Sequence, residues 1–179
     1  MNQSLKVNKT LTLIDNEKNN EQGQFLTFNI CAEMFAIGIL HIKEILEHCH
    51  LTPVPMMPSY IRGVINLRGA VVPVVDLSAR FGDKPSEITK RTCIVIIEVE
   101  TEDEKQDIGI VVDSVSAVLE IPDIEIEPAP SFGARIRADF IEGMGKINGD
   151  FVIILNVNRV LSLDELASVT SVASALHRD

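Results

Sequence analysis

The stretch "YIRGVINLRGAVVPVVDLSARF", Tyr60 to Phe81, has a second copy 80 residues later, "FIEGMGKINGDFVIILNVNRVL", Phe140 to Leu161. The two copies align without a gap, and they share glycines and apolar residues: Ile61 with Ile141, Gly63 with Gly143, Gly69 with Gly149 and Val72 with Val152. Alternating apolar residues and turn glycines that occur twice are typical of a duplicated β-structure. The fold is therefore expected to contain two similar units.

Two arginines break this repeat, because Arg62 aligns with Glu142 and Arg68 aligns with Asn148. The fold requires the shared pattern twice and the arginines only once, which makes both arginines candidates for function. An arginine at a hairpin tip presents a planar fork of donors that can bind a partner carboxylate. For Arg62 we favour a solvated turn arginine without a role, and for Arg68 we favour partner binding.

A second repeat, at an offset of 73 residues, relates "IGIVVDSVSAVLEI" to the segment around Ile37 to Glu47. Together the repeats define two halves, about 24–82 and 92–162, each with two strands, a short turn or helix, and a closing hairpin. The spacing of apolar residues in Ile39 to Leu46 predicts a short helix, and Pro73 predicts an edge strand or a bulge. Each half would bury too little surface alone, so we expect two small barrels, intertwined or in tandem, with a shared interface.

The two ends of the chain differ from this β-rich centre. Residues 1–22 are rich in Asn, Lys and Glu and are predicted to form a flexible tail. Residues 163–179 carry one apolar stripe behind a capping box of Ser162 and Glu165, which predicts a C-terminal helix that packs on the barrels. The acidic segment 98–107 is expected to be a solvated hairpin tip.

Composition excludes several classes of function. The chain is 46% hydrophobic and 23% charged, which is typical of a globular protein. Its net charge of −10 argues against nucleic-acid binding and against contact with an anionic membrane. No signal peptide or membrane-spanning run is apparent, so a cytoplasmic location is expected. The three cysteines, Cys31, Cys49 and Cys93, are predicted to be small buried residues in a reducing compartment.

No catalytic apparatus is visible in the sequence. The cluster "HCH", His48 to His50, would place two imidazoles on one face of a strand, but a zinc site requires three or four convergent ligands. Nucleophile elbows, phosphate-binding loops and dinucleotide fingerprints are absent from the sequence. We therefore expect no enzyme activity, no metal and no cofactor, which leaves recognition of other proteins.

The run "GVINLRGAVVPVVDL", preceded by "HIKEIL" and followed by "IGIVVDSVSAVLEI" and "IEPAPSF", resembles the CheW family of bacterial chemotaxis coupling proteins. The resemblance extends from about Gln24 to Leu166, with the motifs in the expected order. It implies a mostly β fold of two five-stranded SH3-like β-barrels that share a hydrophobic core, with short helices, in a CheW-like domain spanning 23–166.

The same resemblance implies a non-enzymatic adaptor that couples the regulatory domain of the histidine kinase CheA to the cytoplasmic tips of chemoreceptors, in arrays at the inner membrane. By motif position it assigns partner contacts to several residues besides the Arg62 and Arg68 singled out above: Ile42, Glu44, Gly63, Gly109, Val118 and Gly143. The glycines could equally serve backbone turns or close strand approach, and Ile42 and Val118 could equally belong to the core.

Two residues depart from the family pattern, Gly38 and His41, and could change affinity or the choice of partner. Three other interpretations stay open. The chain could be a coupling protein of a pilus or other non-flagellar chemosensory pathway. It could also be a coupling domain of a larger protein, but the initial Met1 favours a stand-alone protein. A ligand- or oligonucleotide-binding barrel is the alternative from another class, but aromatic residues make up only 4% of the chain.

Overall fold

A computed structural model describes residues 23–47, 50–100, 104–129 and 136–162. The predicted tail, residues 1–22, and the predicted terminal helix, residues 163–179, lie outside the described residues. The strands are β1 (Gln24–Ile30), β2 (Glu33–Gly38), β3 (Ile42–Glu47), β4 (Ile61–Leu67), β5 (Ala70–Asp76), β6 (Cys93–Glu100), β7 (Lys105–Val112), β8 (Ser114–Glu120), β9 (Ile141–Ile147) and β10 (Asp150–Leu155). Two four-residue helices, α1 (Leu77–Arg80) and α2 (Val157–Val160), and three 3₁₀ turns, Ile39–His41, Asp123–Glu125 and Ala138–Phe140, complete the described fold.

The strands form two five-stranded sheets, which confirms the predicted architecture. Barrel A has the strand order β8-β1-β2-β10-β9, and barrel B has the order β3-β6-β7-β5-β4. Most neighbouring strands are antiparallel, whereas β2 with β10 and β5 with β7 are parallel. The first five strands correspond in order to the last five, so that β1 matches β6 and β5 matches β10. With this correspondence, the two sheets have the same strand order.

The two sequence repeats do not coincide with the two barrels. Barrel A contains β1 and β2 from the first repeat but β8, β9 and β10 from the second, and barrel B contains the complementary set. The chain crosses between the barrels after β2 and again after β7. Each barrel is therefore completed by strands of the other repeat.

This exchange of strands produces one hydrophobic core between the barrels. Buried residues of β1, such as Leu26 and Phe28, lie in the same cluster as Ile97 and Ile110 of barrel B. Each barrel also encloses a smaller cluster of its own, around Ile65, Val74 and Ile94 in barrel B and around Ile121, Val152 and Ile154 in barrel A. The predicted shared core is confirmed.

The helix predicted for Ile39 to Leu46 is wrong. Only Ile39–His41 forms a 3₁₀ turn, and the rest of the segment is strand β3. A β-bulge between Ile42 and Glu44 shifts the register of β3 on β6. Because a bulge adds one residue to the alternation, Ile42 and Ile45 both reach the core at a spacing of three residues, which imitates the helical period.

The edge-strand interpretation of Pro73 is also wrong. Strand β5 lies between β4 and β7 in barrel B. Pro73 is paired with Val64 of β4, but the parallel ladder with β7 includes only Val74, Val75 and Asp76. The proline therefore lies just outside the second ladder, where its missing N–H removes no bond to β7.

Of the three cysteines, Cys93 is buried as predicted, whereas Cys31 is exposed, which contradicts the prediction for that residue. Cys31 occupies the turn between β1 and β2, where its aliphatic sequence neighbours do not enclose it. Cys49 lies outside the described residues. Burial raises the pKa of the Cys93 thiol to about 11, and the nearby Glu47 carboxylate contributes to the shift.

Cys93 is expected to react with iodoacetamide about 100-fold more slowly than an ordinary thiol, because two pKa units separate its value from the usual one. Mass spectrometry of the native protein at about pH 8 resolves the rate at each cysteine. Folding favours the protonated thiol. The stability that Cys93 contributes in this way is therefore present below pH 9.0 and is lost as the pH rises toward about 11. Equal rates at Cys31 and Cys93 in the native state would contradict the burial, and equal rates in urea are the control.

The turn between β1 and β2 carries a local strain that a substitution can relieve. Ala32 has a φ of 64°, and Cys31 before it has a φ of 50°. Ala32→Gly is expected to stabilise the protein by about 0.5–1 kcal/mol. Glycine removes the strain of an alanine in the left-handed conformation, and this gain exceeds the loss caused by the higher conformational entropy of glycine in the unfolded chain. The same change at Ala36, which is fully buried in β2, should destabilise it by about 1 kcal/mol. Urea unfolding of both variants measures the two signs, and a loss at Ala32 would refute the strain.

Candidate functional site

The hairpin tip between β4 and β5 has a conformation that its sequence does not favour. Arg68 and Gly69 have φ angles of 52° and 87°, and Asn148 and Gly149 in the second copy have 51° and 87°. Two successive positive φ angles are those of a type I′ turn, for which Asn-Gly is the preferred pair. The first copy therefore accepts an unfavourable arginine where the second copy has the favourable asparagine, which indicates that the side chain of Arg68 is used.

The structure brings together two of the predicted contact residues, Arg68 and Glu44. Arg68 Nη1 lies 2.7 Å from Glu44 Oε2, so the pair joins the hairpin tip to β3 at the other edge of the sheet. The Arg68 side chain is 74% exposed, and that of Glu44 is 20% exposed. A pair this exposed contributes little to stability, but it holds one corner of the guanidinium and leaves the remaining donors directed to solvent.

Arg62 is not the solvated turn arginine that the sequence predicted. It lies in β4, where Nη1 donates to Asp76 Oδ2 at 3.3 Å and to the Ser86 carbonyl at 3.1 Å. Asp76 is fully buried, accepts two further bonds from Ser86 and caps helix α1 through the N–H of Ala79. Arg62 therefore neutralises a buried carboxylate within the fold.

This pairing also explains why Arg62 has no counterpart in the second copy. The position of Asp76 is occupied there by Asn156, which caps α2 through the N–H of Arg159 without carrying a charge. With no buried carboxylate to neutralise, the position of Arg62 is free to be the exposed Glu142. The asymmetry at Arg62 has a structural cause in this buried pair, whereas Arg68 makes only the exposed pair with Glu44 in the described residues.

The three candidate glycines are buried at places where strands approach closely. A Cβ atom on Gly63 would lie 2.4 Å from the Thr52 carbonyl oxygen, and Gly63 has a φ of 150°. On Gly109 it would lie 2.9 Å from Ile94 Cγ2, and on Gly143 it would lie 2.6 Å from Ile126 Cγ2. Each glycine is required for packing, so a substitution would affect a partner through the fold.

Ile42 and Val118 belong to the packing between the barrels. Ile42 is 8% exposed and is part of the shared core, and the partly buried Val118 packs against that core from β8. Among the eight candidate residues, Arg68 has the exposed polar side chain, at 74%, whereas the side chains of Glu44 and Arg62 are partly buried, at 20% and 25% exposed. A direct partner contact remains a prediction for all eight residues.

Sequence reasoning missed Arg80, which connects the two repeats. Its guanidinium carbon lies 4.9 Å from the ring centres of both Tyr60 and Phe140, and its Nε donates to the Val160 carbonyl at 3.0 Å. The repeat aligns Tyr60 with Phe140 and Arg80 with Val160. A cation between two equivalent aromatic rings could have been suspected from that alignment, and it fixes the two halves against each other.

The described residues hold no cluster of side chains suited to metal binding. No group of three or more ligating side chains occurs among them. In the cluster that the sequence singled out, His50 is exposed, and His48 and Cys49 lie outside the described part of the chain. No helix within the described ranges is long and apolar enough to cross a membrane.

Comparison with known proteins gives consistent matches over most of the chain. The family model of the CheW-like domain matches residues 24–165. The chemotaxis protein CheW of Klebsiella aerogenes is 32% identical over 152 residues, which cover 85% of this chain and 89% of that protein. CheW of Rhizobium meliloti is 34% identical over 142 residues, which cover 79% and 89%. The crystal structure of the scaffolding protein TtCheW from Thermoanaerobacter tengcongensis superposes with a TM-score of 0.72 at 30% identity, over 80% of this chain and 94% of that one.

Proposed function

The chain belongs to the CheW-like domain family of chemotaxis scaffold proteins, and from this premise we propose that it joins the histidine kinase CheA to the cytoplasmic tips of chemoreceptors. It acts by binding and transforms no substrate. One surface contacts the coupling-like regulatory domain of the kinase, and another receives the helical hairpin tip of a receptor. The observation that supports a binding role most directly is Arg68, an exposed guanidinium kept in a turn that disfavours it.

The pair of Arg68 and Glu44 supplies the polar part of one contact. Glu44 occupies one corner of the guanidinium, and the remaining N–H groups can bind a partner carboxylate or carbonyl. Arginine is enriched at the centres of protein interfaces because its stem packs on apolar groups while its head forms hydrogen bonds. Glu44 is a positioning residue in this proposal, since it orients Arg68.

The apolar part of a receptor contact has a candidate where the chain crosses between the barrels. Leu40, in the 3₁₀ turn that connects β2 of barrel A to β3 of barrel B, is 61% exposed. An exposed leucine beside the junction of two barrels suits the apolar face of a receptor helix. The proposed receptor surface is therefore the groove between the barrels.

The contacts are expected to be individually weak. Interfaces at or below the roughly 1,200–2,000 Å² of standard complexes commonly have micromolar affinity. In an array at the inner membrane, each adaptor binds kinase and receptor at the same time, and the effective concentration of neighbours supplies the remaining stability. The adaptor itself works from the cytoplasmic side without direct membrane contact, which agrees with its net charge of −10.

Calorimetric titration of the full chain with the CheA regulatory domain, and separately with a soluble receptor tip fragment, tests the proposal. We expect saturable binding of each at micromolar concentration, and a ternary complex when both are present. A barrel domain of similar net charge from an unrelated protein is the control for non-specific association. Absence of binding to both fragments at high micromolar concentration would overturn the proposed function.

A further inference from the structure

A cavity of about 420 Å³ opens at one end of barrel B and has no part in the adaptor function proposed above. It is lined by Leu51, Pro53, Arg62, Ile88, Thr92 and Ile94, together with Thr89 and Val111. Its volume lies within the range of sites that hold small molecules, roughly 300–1,000 Å³. The cavity is large enough for a ligand of its own.

The cavity is distant from the hairpin tip of Arg68. Arg62 lies near the start of β4 and Arg68 in the turn that follows this strand, and six residues of extended chain span about 20 Å. A ligand in the cavity would therefore leave the Arg68–Glu44 pair untouched. The two surfaces can be tested independently.

The inner wall of the cavity is apolar. Ile94 and Val111 belong to the cluster enclosed by barrel B and are 5% and 0% exposed, so the cavity reaches the interior of the barrel. At the mouth, Leu51 is partly buried and Ile88 is 55% exposed. A hydrocarbon body would lose water on entering, which favours an apolar ligand.

The polar group at the cavity is the guanidinium of Arg62, which has N–H groups available for a ligand. Only Nη1 of Arg62 bonds to the protein among the described residues, at Asp76 and at the Ser86 carbonyl. Asp76 also accepts bonds from the N–H and hydroxyl of Ser86 and from the N–H of Ala79, so Arg62 supplies its countercharge through Nη1 alone. The Nε and Nη2 groups of Arg62 remain for a ligand acceptor.

The loop that borders the mouth carries a small excess of positive charge. The loop 82–92, which borders the cavity through Ile88, Thr89 and Thr92, carries the exposed cations Lys84, Lys90 and Arg91 against the acids Asp83 and Glu87. The described residues form no ion pair with any of these three cations. An anionic head group is therefore favoured at this mouth, although the chain as a whole carries −10.

We propose that this cavity binds a small amphipathic carboxylate, with its hydrocarbon body against Ile94 and Val111 and its carboxylate on Arg62. Apolar walls select the body, and a fixed guanidinium selects an acid over a neutral molecule of the same shape. The expected ligand is therefore a small acid of the fatty-acid or arylalkanoic-acid type.

Titration of the ¹³C-methyl-labelled full chain with octanoate, and in parallel with 1-octanol, tests the proposal by nuclear magnetic resonance. Octanoate is expected to shift the methyl signals of Ile94 and Val111 saturably and to bind about tenfold more tightly than octanol, the increment of one charge-assisted hydrogen bond. The absence of saturable shifts with octanoate at millimolar concentration overturns the proposal, and equal affinity for both probes overturns the role of Arg62.

Two variants separate the cavity from its head-group site. Ile94→Phe narrows the cavity and should abolish binding of both probes, and thermal unfolding of this variant checks that the fold is retained. Phe25 takes the corresponding position in barrel A, opposite Gly38 as Ile94 is opposite Val111. The double variant Arg62→Leu with Asp76→Asn removes both charges of the buried pair. The new asparagine can still cap helix α1, as Asn156 caps α2. It should bind the two probes equally; a retained tenfold preference for octanoate would contradict the assignment to Arg62.

Discussion

Replacing Arg68 with asparagine is expected to weaken binding of one partner fragment by about 30-fold, which corresponds to about 2 kcal/mol for the loss of an arginine at an interface centre. The melting temperature should stay unchanged or rise. Asparagine is the residue of the equivalent turn at Asn148 and suits a positive φ, which offsets the loss of the exposed pair with Glu44. Calorimetric titration with the kinase and receptor fragments gives the affinities, and thermal unfolding gives the stability.

The second copy provides the matched control for this substitution. Asn148→Arg places an arginine in the same turn geometry on barrel A, and it should neither create a partner contact nor compensate for Arg68→Asn. An unchanged affinity for both fragments, combined with a lower melting temperature of Arg68→Asn, would show that Arg68 serves the fold. A loss of affinity without a loss of stability is the result that the proposed function requires.

Replacing Gly63 with alanine is expected to lower the free energy of unfolding by about 3 kcal/mol or more, or the melting temperature by about 10 °C. The added Cβ would lie 2.4 Å from the Thr52 carbonyl oxygen, at a φ of 150° that disfavours alanine. Thr52 and Val64 exchange two backbone hydrogen bonds of 2.9 Å at this point, so the neighbouring chain cannot withdraw without breaking them. Urea and thermal unfolding measure the effect.

Gly143 in the second copy is the control for Gly63. Its Cβ would lie 2.6 Å from Ile126 Cγ2 and 3.1 Å from the Glu127 carbonyl oxygen, but its φ is not positive, so Gly143→Ala should cost about 1–2 kcal/mol, less than Gly63→Ala. Well below its melting temperature, Gly63→Ala should still bind the kinase and receptor fragments with the native affinity. Normal stability with lost binding would instead assign Gly63 to the contact surface.

Several features of the fold could be predicted because they depend on local patterns. The repeat of glycines and apolar residues marks the β4–β5 and β9–β10 hairpins, and both occur where it predicts them. The interpretation of Arg68 as a hairpin-tip residue is confirmed, since the turn depends on two adjacent residues alone. The replacement of Asp76 by Asn156 was also visible in the repeat and would have predicted the structural role of Arg62.

Other features depend on contacts that no short window contains. Strand β1 pairs with β8, about 90 residues away, so the sequence did not reveal that each barrel is assembled from both repeats. The bulge in β3 gave Ile42 and Ile45 a helix-like spacing because register is set by the neighbouring strand β6. The joint position of Glu44 and Arg68 likewise follows from where β3 and the hairpin tip meet.

The sequence alone determined that this protein is a duplicated β-structure of the CheW family with two arginines that have no counterpart in the repeat, because alternation, turn glycines and motif order are carried by neighbouring residues. The tertiary structure decided which of its two arginines faces solvent, how the repeats exchange strands, and that Arg80 joins them. The physical reason is that a buried charge finds its partner, and a strand finds its neighbour, only when distant segments come within a few ångströms of each other.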